Sequence, residues 1–255
     1  MKLFRLICSL LLIFFSLTQP TVAGTLSERL EQFPQWQGKP SVKIALGDLV
    51  YPDWMAGTWN VTSTLVNLVA PLAPEIVTPG LQGNSSYLNK PVEFQVKFNK
   101  QYSTAKTNWL SFVFTQKQPV VADRAFNALN IARAYLGNRA VLSVKVDPNN
   151  PNQQITFLRN NSQLLTTVTG RRTETPAPYR FIATEITQQQ FRDSEIYFNE
   201  VETETSYQLL FNDQMEAVQV TAIYLSPQDP NYFAAAGRPV ALGRYRLKLL
   251  KNTER

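Results

Sequence analysis

The chain has no histidine, and its single cysteine, Cys8, lies in an N-terminal apolar stretch. The rest of the chain therefore has no Ser-His-Asp or Cys-His pair, no His-ligated zinc, no axial-His haem and no disulfide. No catalytic residue, metal or cofactor is expected, and stability must come from a packed core. Charged residues are scarce too, at 17%, against about a quarter in an ordinary domain. Long runs of lysine and arginine are missing. The densest basic stretches are Gly170–Arg172 and Gly243–Lys251, and the second alternates with apolar residues as a strand with one wet face does. Setting aside Lys2 and Arg5 of the leader brings the formal charge from +6 to about +4 (+6 − 2). So diffuse a charge predicts no nucleic-acid partner.

What is present begins with a leader. Lys2 and Arg5 precede an apolar run over Leu6–Leu17, and Thr18–Ala23 ends in small residues, so residues 1–23 read as a secretory signal. The run is too short to span a bilayer, which takes about 20 residues. Residues 24–56 read as a short helix and an arm, with Leu26, Leu30 and Phe33 at helical spacing, Ser27 as cap and Pro34 as stop. Residues 57–251 form the main domain and 252–255 a tail.

In the main domain the hydrophobic period is two. Trp59, Val61, Leu65 and Val69 share one parity, and Val92, Phe94, Val96 and Phe98 alternate with Glu93, Gln95 and Lys97. A further strand is expected through Leu110, Phe112 and Phe114. The longest alternation runs from Tyr197 to Phe211, and the last from Ala241 to Leu249 against Arg244, Arg246 and Lys248. One insertion, 122–137, has helical spacing, with Asp123 to cap it and Gly137 to stop it. The expected fold is mainly β: a single antiparallel barrel of about nine or ten strands with one inserted helix and a short N-terminal one. Closing the barrel would remove the sheet edges.

Gly57-Thr58-Trp59, at the start of the first long strand, resembles the Gly-x-Trp signature of the calycin (lipocalin-like) barrels. The resemblance implies a terminal-strand arginine over the tryptophan, for which Arg244 or Arg246 is the candidate and Arg244 the favoured one; Gly57, Trp59 and Arg244 would then close one end. More widely, the stretches 51–65, 123–137, 147–153 and 232–250 are similar to an uncharacterised family of cyanobacterial proteins with plastid thylakoid-lumen relatives. That similarity implies export to the thylakoid lumen or periplasm and brings no assigned catalytic residues.

The inward aromatic residues Phe94, Phe112, Phe114, Phe181, Tyr207, Phe211, Tyr224 and Tyr245 are the candidates for lining a barrel interior. Periodicity leaves two states open, a hollow barrel and a filled one. The expected function is an exported, non-enzymatic carrier of a small apolar ligand such as a lipid, pigment or quinone. The alternative is a solid barrel that docks on a photosynthetic membrane complex, with peripheral membrane contact. Glu200, Glu202 and Glu204 share the opposite parity to Tyr207, which predicts a solvated face rather than a cation ladder. Arg171, Arg172 and Arg180 read as a surface cluster or a grip for an anionic head group.

Overall fold

A computed structural model of the chain describes residues 25–76, 81–101, 118–193 and 195–252. The expected leader, the strand through Phe112 and Phe114 and most of the tail lie outside the described residues.

Among the described residues twelve strands form one sheet: β1 (Lys43–Ile44), β2 (Val50–Tyr51), β3 (Gly57–Val69), β4 (Pro91–Lys100), β5 (Val120–Ala122), β6 (Val141–Asp147), β7 (Asn150–Leu158), β8 (Gln163–Ala177), β9 (Arg180–Arg192), β10 (Ile196–Phe211), β11 (Gln214–Leu225) and β12 (Ala241–Lys251). The long strands are β3, β4 and β6 to β12, close to the expected number. From β6 to β12 the sheet is an up-and-down meander, and β12 then pairs antiparallel with β3, followed by β4, β5 and β2. The architecture is a curled antiparallel half-barrel.

Four α-helices accompany it among the described residues: α1 (Leu26–Glu31), α2 (Leu81–Ser85), α3 (Arg124–Leu136) and α4 (Tyr232–Ala235). As expected, Asp123 caps α3 by accepting from the Phe126 amide, and Gly137 ends it at a φ of 88°. The helix stands where β4 runs out of β5. There the Asn127 side-chain amide accepts from the Lys97 amide at 2.6 Å and donates to the Lys97 carbonyl at 3.1 Å. It thereby satisfies backbone groups that a neighbouring strand would otherwise pair. At the other sheet edge, the Arg133 guanidinium reaches the Val141 carbonyl at 3.5 Å. The seam of the half-barrel is thus bridged by a helix rather than by strand pairing.

The sheet buries both faces. Inside the curl, Met55, Trp59, Val61, Phe98, Phe181, Met215 and Leu249 form the larger core. Outside it, α1 and the chain after it lay Leu26, Leu30, Phe33 and Trp36 across Ile182, Val220, Ala222 and Leu242. The α1 cap is Thr25, in a reciprocal box with Glu28, not Ser27. Gly170 permits the crossing, since a Cβ there would lie 2.5 Å from Val42 Cγ2. A register shift between β3 and β12, opposite Arg244 and Tyr245, inserts Val66 as an extra residue. Beyond it the parity of β3 is reversed, and Val69 packs with the outer core instead of sharing a face with Trp59.

Candidate functional site

The inner face carries a cavity of about 280 Å3. Its floor comes from Val61 and Ser63 of β3, Phe94 and Val96 of β4, Tyr207 of β10, Gln219 and Thr221 of β11, and Tyr245 and Leu247 of β12. Asn127, Ile131 and Tyr135 of α3 form one wall, so the same helix that bridges the seam borders the cavity. The lining is mixed: aliphatic and phenyl groups on β4, aliphatic groups and a phenol on β12, hydroxyls and an amide on β10 and β11. Burial pushes the Tyr207 and Tyr245 phenols up to about 12, so both stay protonated donors at neutral pH. The Tyr135 hydroxyl lies 3.5 Å from Ser63 Oγ, and burial raises its pKa as well.

The aromatic residues expected inside divide into groups. Phe94, Tyr207 and Tyr245 line the cavity. Phe181 lies deeper in the same core, 5.7 Å from the Tyr51 ring. Phe211 does not point inward: a second register shift, between Leu209 and Phe211, turns it out at the β10–β11 hairpin, where it is exposed. Tyr224 is on the opposite face altogether. Phe112 and Phe114 lie outside the described residues.

At one end of the half-barrel Trp59 is fully buried, and its indole N–H donates to the Met55 carbonyl at 2.8 Å. The cation over its ring is Lys251, at 5.3 Å, not Arg244. Antiparallel pairing decides this. It sets the start of β3 against the end of β12, with Trp59 opposite Lys251 and Arg244 opposite Asn67. Gly57 has a φ of 126°, which favours glycine, and a Cβ there would push aside the Lys251 side chain that lies over Trp59, its Cε being 2.8 Å away. Arg244 instead lies over Phe33 at 4.9 Å and donates to the Leu30 carbonyl, holding down the end of α1. Counting the antiparallel register from the two strand ends would have found Lys251 in the sequence.

The expected solvated face of β10 is not solvated. Glu202 and Glu204 are both fully buried beneath α1. Arg29 of α1 grips Glu202 with two bonds of 2.8 Å, the Tyr224 hydroxyl donates to Glu202 at 2.7 Å, and the Arg29 guanidinium stacks on Trp36 at 3.8 Å. Glu204 is 3.6 Å from Arg29 and has no hydrogen-bond partner among the described residues. Burial, then the neighbouring Glu202 charge, pushes its carboxyl up to about 8. One arginine thus serves two carboxyl groups, and the second keeps its proton at neutral pH. Only Glu200 of the three is partly accessible, and it pairs with Lys39.

The expected arginine cluster is dispersed among partners as well. Arg171 and Arg124 converge on Glu185 at 2.9 and 3.2 Å, Arg124 also meets Asp48, and Arg172 meets Glu174. These tie Arg171 and Arg172 internally, whereas Arg180, the third residue of the expected cluster, donates to Ser206 Oγ at 3.3 Å on the outer face. Among the described residues no group of three or more His, Cys, Asp or Glu is placed to hold a metal.

Residues 43–253 match the family described as a domain of unknown function, DUF6816. The chain belongs to that family. No curated protein and no solved structure matches it. The DUF6816 region starts at β1, so it contains every residue around the inner cavity, together with Glu202, Glu204 and Tyr224. Arg29 and the rest of α1 precede it.

Proposed function

We propose that this DUF6816 protein is a non-enzymatic binding protein whose ligand occupies the inner cavity. The observation that carries the reading is the space of about 280 Å3 between α3 and the sheet, with an apolar side at Phe94 and Leu247 and a polar side at Tyr207, Gln219 and Thr221. Such a lining suits an amphiphile with a ring or short chain and one or two polar atoms, for example the ring of a quinone. The volume, about 280 Å3, lies just below the roughly 300–1,000 Å3 of usual ligand sites, which favours a small or partly inserted molecule over a whole pigment. The leader-like segment supports export, and the Gly-x-Trp start supports a calycin-like ancestry for the half-barrel. Its compartment is then a thylakoid lumen or periplasm. The lack of histidine and of cysteine after the leader supports the non-enzymatic part.

Native mass spectrometry of the protein purified from its own cells tests the reading. A bound mass is expected in the parent and lost in Ile131→Trp, which fills the cavity wall without touching the buried core. Apoprotein alone in the parent, or equal retention in the variant, would overturn it.

A further inference from the structure

One end of the half-barrel exposes a contiguous apolar rim whose cause is not packing. Tyr179 in the β8–β9 turn is 58% exposed, Phe211 at the β10–β11 turn 69%, and Leu250 at the end of β12 55%. They are neighbours in space. The Leu209 amide donates to the Tyr179 carbonyl at 2.9 Å, and both Phe211 and Leu250 are register partners of Gln214. Leu210 adds a fourth exposed side chain between them.

Tyr179 is the informative member. Its φ is 61°, a left-handed conformation in which glycine and asparagine are at ease and a tyrosine is not. An exposed aromatic ring there gains little burial to offset the backbone cost, so folding alone does not account for it. Behind the rim, on the outer face of the sheet, lie Arg180, Arg246 and Lys248. Arg180 directly follows Tyr179. Lys248 precedes Leu250 by two residues, or about 7 Å along a strand. Glu216, opposite Lys248, and Asp213 in the turn are the nearby acidic residues, so the patch is cationic by a small margin.

We propose that this end is a peripheral docking surface for an anionic lipid bilayer. Four exposed apolar side chains on two turns and a strand end make a small edge, far fewer than the roughly 20–30 residues a side of a stable protein interface. A bilayer needs only such an edge. Interfacial segments seat apolar groups about 5–10 Å into the headgroup boundary, and the cations one step behind the rim then lie at the level of the headgroups. Tyrosine suits that boundary because its ring is apolar and its hydroxyl stays wet. The surface is separate from the ligand cavity, and it shares none of the residues on which the proposed binding function rests.

Vesicle co-sedimentation of the protein purified from its own cells tests this, with phosphatidylcholine alone and mixed with phosphatidylglycerol. Binding is expected to be about tenfold tighter to the mixed vesicles at low salt, as for one or two net cations near an anionic surface. Tyr179→Asn combined with Phe211→Ser should lose at least tenfold on both vesicle types. Asparagine fits the positive φ, so this variant should fold at least as well as the parent. Arg246→Gln with Lys248→Gln should remove only the preference for phosphatidylglycerol. All proteins share one N-terminus, so a leader that binds bilayers by itself would leave them equal. Equal binding, or no vesicle binding by the parent, would overturn the proposal; so would a dimer that the double apolar variant abolishes while vesicle binding is unchanged.

Discussion

Strand β10 carries two chemistries on its two faces. Tyr207 faces the curl and a cavity. Glu202 and Glu204, of the opposite parity, face α1 and are sealed beneath it. Both faces are buried, but by different means. The inner face is covered by the curvature of its own sheet and by α3, and the polar groups around its cavity are hydroxyls and amides that border a space. The outer face is covered by a separate segment that brings one positive charge to two acidic groups. The first arrangement can admit a ligand. The second joins two parts of the chain, and its stability depends on charge balance, since a buried carboxylate without its partner is costly.

The largest way to break this contrast is to remove the charge that α1 supplies. Arg29→Ala should destabilise the protein by about 3–5 kcal/mol, the usual loss when one partner of a buried ion pair is deleted. Denaturant unfolding would measure it. A change within error would mean that the outer face solvates its carboxylates and that the two faces are less different than their burial implies.

A pH series sharpens the contrast further. The Glu204 carboxyl is raised to about 8 in the folded protein against an ordinary value of 4.5. The folded state therefore binds the proton more tightly than the unfolded one. Its contribution to stability is complete below about 4.5 and is lost as pH rises through about 8. The unfolding midpoint should fall across that window, and Glu204→Gln should flatten the fall while leaving the inner-face tyrosines, which titrate near 12, unaffected. A flat profile in the parent would show that Glu204 is ionised already at neutral pH.

The smallest effect separates the two cations at the ends of β12. Lys251→Met should cost about 0.5–2 kcal/mol, the range of a cation–π contact, and should blue-shift or quench the buried Trp59 emission. Arg244→Met should leave Trp59 alone and loosen α1, seen as faster amide exchange over residues 26–31. Reversed readouts would return the arginine to the tryptophan and overturn the antiparallel register of β3 and β12.

Much of the fold was legible because period-two alternation is a local consequence of the pleat. The long strands β3, β4, β10 and β12 and the mainly β class follow from it, and α3 follows from its own helical spacing between Asp123 and Gly137. The site was legible in part. Phe94, Tyr207 and Tyr245 were placed by parity and line the cavity, whereas Tyr224 and Phe211 were misplaced. Phe211 follows a register shift that no local pattern announces. Tyr224 stands on the face opposite the cavity, and its phenyl bulk suggested an interior that its hydroxyl, bonded to Glu202, contradicts.

Sequence alone dictated which residues alternate and that no histidine-dependent chemistry is available. These are properties of single residues and their near neighbours. What covers each face was settled in three dimensions: α1 buries Glu202 and Glu204, Lys251 rather than Arg244 meets Trp59, and α3 bridges the seam of the half-barrel. The reason is physical. Alternation assigns a side chain to one of two faces, but the surroundings of a face depend on segments distant in the chain, and burial and charge are set by those surroundings.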